Sequence, residues 1–231
     1  MRVKTIATMQ RLWGLGDAEV RIAWPELAAA GIDLDDQAAL QAWAREAADS
    51  TVPERILAAA KLHALGLLGG QARRQALVLL QHACVADHAP SMFLRAELLL
   101  QGPVISARDR ALAETLSTRC LVLRYPPALM ARALQVVQGG DARRARALVA
   151  EAARAGDPGA LHWLGTELIE RRLTAHQRRG VALLEAAATR GYSAACCLLA
   201  TIHRLGRHGV SPDPDMGAKW QRRALELLAL A

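Results

Sequence analysis

Small side chains recur along this chain at a nearly constant interval, and that recurrence limits the fold more than any other feature. One column runs Ala59, Ser91, Ala128, Ala160 and Ala195. A second, five residues on, runs Ala64, Ala96, Ala133, Gly165 and Ala200. The successive steps are 32, 37, 32 and 35 residues. Six residues after the second column stand Gly70, Gly102, Gly139, Arg171 and Gly206, which read as helix ends followed by turns. Small residues return at Ala76, Ala113, Ala145, Gly180 and Gly217, and again seven positions later at Ala83, Cys120, Ala152, Ala187 and Ala224. Three residues after the first of these lies a large apolar group: Leu79, Leu116, Leu148, Leu183 and Trp220. Spacings of 3, 4 and 7 set all three on one helical face. Small residues let two helix backbones close in, and the large group is expected to fill the space between them.

Each period therefore reads as a hairpin of two helices. The pairs are 54–68/72–86, 90–101/107–123, 127–138/142–154, 158–170/175–189 and 193–205/214–229. Loops are expected at Gly69-Gly70, Gly102-Pro103, Gly139-Gly140 and from Gly206 to Pro214. Asp141, Thr174 and Asp213 are expected N-caps, and Pro90, Pro127 and Pro158 suit a first helical turn. No hairpin can bury both faces alone, so neighbours must stack. Composition agrees: 48 Ala and 37 Leu among 231 residues favour helix, and only 8 aromatics leave little to build strands. The expected fold class is all-α, an α-solenoid of about five helix-turn-helix repeats over residues 53–231. Residues 1–52 fall outside the period. They suggest helices near 3–14, 17–29 and 36–48, forming an N-terminal helical cap in which Trp13, Trp24 and Trp43 cover the apolar side of the first repeat.

Charge is unevenly placed. The whole chain carries +7, yet residues 1–52 hold 5 basic and 8 acidic side chains. The excess of cations thus belongs to the repeats, and a basic body favours anionic partners. Arg outnumbers Lys 26 to 3, a bias that suggests a bacterial source. Each apolar run is broken before the ~20 residues a membrane helix needs, and the apolar part of the first stretch is too short for a secretory signal. A soluble, cytoplasmic protein is expected.

The later units bring the chain close to a known family. The last one reads Ala195, Leu199-Ala200, His203, Gly206, Gly209-Val210, Asp213, Gly217, Trp220 and Ala224. The fourth keeps Ala160, Leu164-Gly165, Gly180, Leu183 and Ala186-Ala187-Ala188. This pattern resembles the Sel-one-like repeat, a branch of the tetratricopeptide superfamily. The match is specific for 157–225 and weaker for 53–156, where His63, Arg95 and Arg132 replace the family's Leu. The resemblance implies a right-handed superhelix that serves as a protein-binding adaptor or scaffold, not an enzyme. His203 stands at a core Tyr position of the family, so a packing role is expected for it.

Reactive constellations are missing from the sequence. There is no phosphate loop, GxSxG, HExxH or paired CxxC. His82 and Cys84 stand two apart, on different faces of a helix, so they would not chelate a metal together. Cys84, Cys120, Cys196 and Cys197 show no disulfide spacing and read as reduced, buried thiols. No catalytic residue, metal or cofactor is expected.

Two surfaces remain as candidates. By analogy with tetratricopeptide grooves, the first helices should turn one face inward. Lys61, Phe93, Met130, His162 and Cys197 make one column of that face, and Leu65, Glu97, Leu134, Thr166 and Thr201 make the other. Its soft, apolar middle suits an amphipathic helix or extended peptide of a protein partner. The second surface is an arginine edge. Arg73, Arg108, Arg143 and Arg178 are spaced by 35 residues, with companions Arg74, Arg110, Arg144 and Arg179. All are expected near the start of a second helix, where a cation opposes the helix dipole. Such an edge would dock an acidic protein or, as the alternative, nucleic acid or another polyanion.

Overall fold

A computed structural model describes residues 36–68, 72–84, 87–101 and 104–229. Eleven helices and no strand occur among the described residues. In chain order they are α1 (Gln37–Ala48), α2 (Pro53–Ala64), α3 (Ala72–Cys84), α4 (Ala89–Leu99), α5 (Ala107–Val122) and α6 (Pro126–Gln138). Then follow α7 (Ala142–Arg154), α8 (Pro158–Ile169), α9 (Thr174–Thr189), α10 (Ser193–Leu205) and α11 (Pro214–Ala229). The expected hairpin bounds agree with these to within a few residues. The helices expected near 3–14 and 17–29, with Trp13 and Trp24, lie outside the described residues, as do the Gly69-Gly70 and Gly102-Pro103 loops.

Local chemistry sets the helix ends. Asp36, Ser106, Asp141, Asp157 and Asp213 each accept a backbone N–H in the first turn that follows them, replacing a bond that a helix start lacks. Thr174 is not the cap expected of it. Leu173 holds that place with no side-chain bond, and Thr174 is already helical. Gly206 closes α10 in the left-handed conformation, φ 62°. A Cβ there would meet Pro212 at 2.5 Å, so both backbone and space demand glycine.

The chain divides into two compact units, one ending at Ala128 and the other beginning at Leu129, inside α6. In the first unit α1 lies on α2. Leu40, Trp43, Ala44 and Ala47 pack with Ala58, Ala59 and Leu62. Farther along the same unit, Met92, Ala96 and Leu99 of α4 meet Ala113, Leu116 and Cys120 of α5. In the second unit α8/α9 and α10/α11 pair as hairpins, and Leu184, Leu199 and Leu227 sit in their shared core.

Every member of the small-residue column Ala59, Ser91, Ala128, Ala160, Ala195 is buried. So are Ala76, Ala113, Ala145, Gly180 and Gly217, and the Ala83-to-Ala224 series. The large filling position is different from the expected one. Leu79, Leu148, Leu183 and Trp220 are only half-buried, whereas Leu80, Val149 and Leu184, one residue on, are fully buried. Positions three and four after a small residue lie about 50° to either side of the small-residue face. Spacing alone therefore does not choose between them, and the packing of the neighbouring helix does. Leu116, 9% exposed, keeps the expected place.

Candidate functional site

The inward column was expected on the first helix of each hairpin. In the first unit Lys61 departs from expectation. It is 8% exposed and belongs to the interior of α2 instead of an open surface. Its neighbours on α2, Leu57 and Leu62, are buried with it, so the long side chain is packed in. Phe93 is half-buried and meets Tyr125 edge-on, ring centres 5.7 Å apart. Glu97 is half-buried, and burial pushes its carboxyl above the usual carboxylate range.

In the second unit the column is partly exposed. Met130 is half-buried and Leu134 is 52% exposed, an apolar side chain presented to solvent from α6. His162 rests on Tyr192 with ring centres 5.0 Å apart, and burial holds its imidazole below the usual histidine range. Thr166 donates its hydroxyl to the His162 carbonyl at 2.9 Å, and Thr201 donates to Cys197 at 3.3 Å. Both threonines thus satisfy themselves on their own helix and stay half-buried. Glu167, on α8, is held at 3.0 Å by both Arg146 and Arg171.

All eight residues of the arginine edge are exposed. Arg73 is used locally: its Nε donates to the Leu98 carbonyl at 3.0 Å, at the end of α4. Arg108, Arg110, Arg143, Arg144, Arg178 and Arg179 form no ion pair among the described residues. The nearby acids are engaged otherwise. Asp109 accepts the Ser106 hydroxyl, and Asp141 accepts the Arg144 backbone N–H. The edge is less regular than its 35-residue spacing suggests. Arg73, Arg108 and Arg143 lie in a first turn, but Arg178 and Arg179 are one turn inside α9. Arg178 there lies along Gly209 of the α10–α11 loop.

His203 is 8% exposed, consistent with packing, and its Nε2 is 3.9 Å from Glu185. Of the four thiols, Cys120 and Cys196 are buried and Cys84 is half-buried. Cys197 is exposed, unlike the buried thiol expected of it but in keeping with its place in the first-helix column, because that side of α10 faces away from the packed one. Burial, with Cys84 nearby, pushes the Cys120 thiol up to about 12. No group of three or more His, Cys, Asp or Glu suited to a metal ion exists among the described residues. No helix described here is long and apolar enough to cross a membrane.

Histidine burial gives the fold a pH dependence. Burial also holds His63 and His88 below the usual histidine range, with Gln75 and Glu54 respectively pulling the other way. Below about pH 6.5 the unfolded chain therefore binds more protons at these sites than the folded one. Their contribution is fully present above that pH and is lost as pH falls through the window beneath it. Glu97 and Asp157, raised by burial, act with the opposite sign, and lower in pH. The melting temperature is expected to be lower at pH 5.5 than at pH 7.5. A scanning-calorimetry series showing no drop, or a rise, would contradict this.

No protein-family model and no curated protein matches the chain. Solved structures do. A Sel1 repeat protein from Oxalobacter formigenes superposes with a TM-score of 0.65 at 20% identity, covering 89% of this chain and 85% of that one. The antigen c5321 of uropathogenic Escherichia coli, described as displaying an SLR fold, gives 0.59 at 21% identity, covering 89% of this chain and 44% of that one. The immunity protein Pa5087 from Pseudomonas aeruginosa gives 0.57 at 18% identity, with 83% of each chain covered. The class is thus an all-α array of helical hairpins. More narrowly, the chain has the Sel1-like repeat fold, and the resemblance read from its later units holds at that level.

Proposed function

We propose that this chain is a non-enzymatic adaptor or scaffold that holds a segment of a protein partner on the inward column of its first helices. The observation that carries the reading is Leu134, an apolar side chain 52% exposed at a place that the repeat assigns to that column. Val137, one turn on and 41% exposed, widens the apolar strip on α6. An amphipathic helix or extended peptide would bury such a strip and gain ~25 cal/mol for each Å² of apolar surface removed from water. The fold supports protein partners as the class. Its solved neighbours include an immunity protein and a protective antigen, so the fold alone does not select a pathway.

A second reading is kept because six edge arginines are exposed and without ion pairs: the edge binds nucleic acid or another polyanion. Salt separates the two, since each phosphate neutralised releases counterions. Anisotropy of a labelled 30-residue single-stranded DNA, titrated with the chain at physiological salt, is expected to show only weak binding, Kd ~10 µM or above, as for a basic surface without specific contacts. Sub-micromolar binding that falls steeply with added salt would overturn the adaptor reading in favour of the polyanion one.

A further inference from the structure

A cleft of about 680 Å³ opens in the first unit between α1, the end of α2 and α3. Its floor is apolar, from Ala44, Leu68, Val78 and Leu79, and Val78 is 51% exposed. Among the described residues its polar lining is basic or neutral: Arg45 comes from α1 and Arg74 from α3, with His63 and Gln75 near them. Arg45 forms no ion pair among the described residues, and the adjacent Glu46 is held by Arg55 at 2.9 Å. His63 Nδ1 is buried without a hydrogen-bond partner among the described residues. An apolar floor under two guanidinium groups is complementary to a carboxylate joined to an apolar side chain.

We infer that this cleft docks a short peptide segment of a protein partner in which an acidic residue stands beside a large apolar one. The carboxylate meets Arg45 and Arg74, and the apolar side chain covers Val78 and Leu79. The volume exceeds that of one side chain and lies in the ordinary range of ligand clefts. A bidentate guanidinium–carboxylate contact fixes direction as well as affinity. This deepens the adaptor reading and rests on it, but uses a different place: α1, which is outside the repeat period, forms one wall.

The test is selection of a displayed random 12-residue peptide library on the full chain. Enriched peptides are expected to carry Asp or Glu next to Leu, Ile, Phe or Trp. Their synthetic forms should bind wild type and lose at least tenfold in affinity to Arg45→Glu/Arg74→Glu. Val78→Glu should cause a similar loss through the floor, while Arg222→Glu, exposed and remote in sequence, should cause none. Circular dichroism of each variant should match wild type, as all four positions are exposed. Three outcomes overturn the inference: no enrichment, peptides without acidic residues, or unchanged affinity in the variants. Peptides that lose binding to Leu134→Glu instead would overturn the cleft and leave the adaptor reading standing. Loss of binding in none of these variants would count against both.

Discussion

Replacing Gly180 by valine is expected to destabilise the second unit by ~3 kcal/mol, the upper part of the usual range for overpacking. Gly180 of α9 and Gly165 of α8 bring two helix backbones together. A Cβ on Gly180 would stand 2.7 Å from Ile169 Cγ2, 2.8 Å from the Gly165 carbonyl oxygen and 2.9 Å from the Ile169 nitrogen. Two of these three are backbone atoms of a helix, which cannot rotate aside as a side-chain tip can. The hairpin must separate, and Leu184, packed 2.9 Å from where a Gly165 Cβ would be, would lose contacts with it. Valine is a somewhat better helix former than glycine, which recovers only a few tenths of a kcal/mol. Ala182→Val, on the exposed side of the same helix, should cost well under 1 kcal/mol. Urea unfolding of the two variants checks this. A loss below 1 kcal/mol for Gly180→Val would mean that the two backbones are not in contact.

Trp43→Ala is expected to cost ~3–5 kcal/mol in the first unit, as for other buried aromatic rings. The ring is 7% exposed and packs with Leu40, Ala58, Ala59 and Leu62 between α1 and α2. The small residues around it cannot expand to fill the space, so the cavity term adds to the lost transfer energy. Because α1 forms one wall of the cleft with Arg45 and Arg74, the same substitution should also abolish peptide binding there. Thermal unfolding with a loss below 1 kcal/mol would show that α1 is an appendage and not a structural part of the first repeat.

The repeat could be read because the same requirement acts again and again along the chain. Two helix backbones can approach only where side chains are small, as they do at Gly165 and Gly180, so small residues recur at such places. A periodic constraint of that kind is visible without a structure. The filling residue was not legible, because the third and fourth positions after a small residue flank its face equally. The candidate surfaces were legible only as positions, not as exposures. Lys61 occupies the same column as Phe93 and Met130, yet it is buried, because it falls in the stretch 56–62 of α2, every residue of which is buried. Arg178 and Arg179 keep the 35-residue spacing but lie a turn inside α9, because that helix begins four residues before Arg178 whereas α7 begins one residue before Arg143. The α1–α3 cleft left no trace in the repeat columns. One of its walls comes from outside the period, and it exists only once α1 is packed against α2.

The central claim, that the inward column holds a protein, is tested most directly by a photo-crosslinking residue placed there. Benzoylphenylalanine at Leu134, which is exposed and tolerant of size, would be irradiated in the source cells beside a control at Leu225, 59% exposed on α11. The adaptor account expects a discrete heavier adduct at Leu134 that protease removes and nuclease does not, and none at Leu225. No adduct at Leu134, equal adducts at both positions, or an adduct removed by nuclease would contradict it.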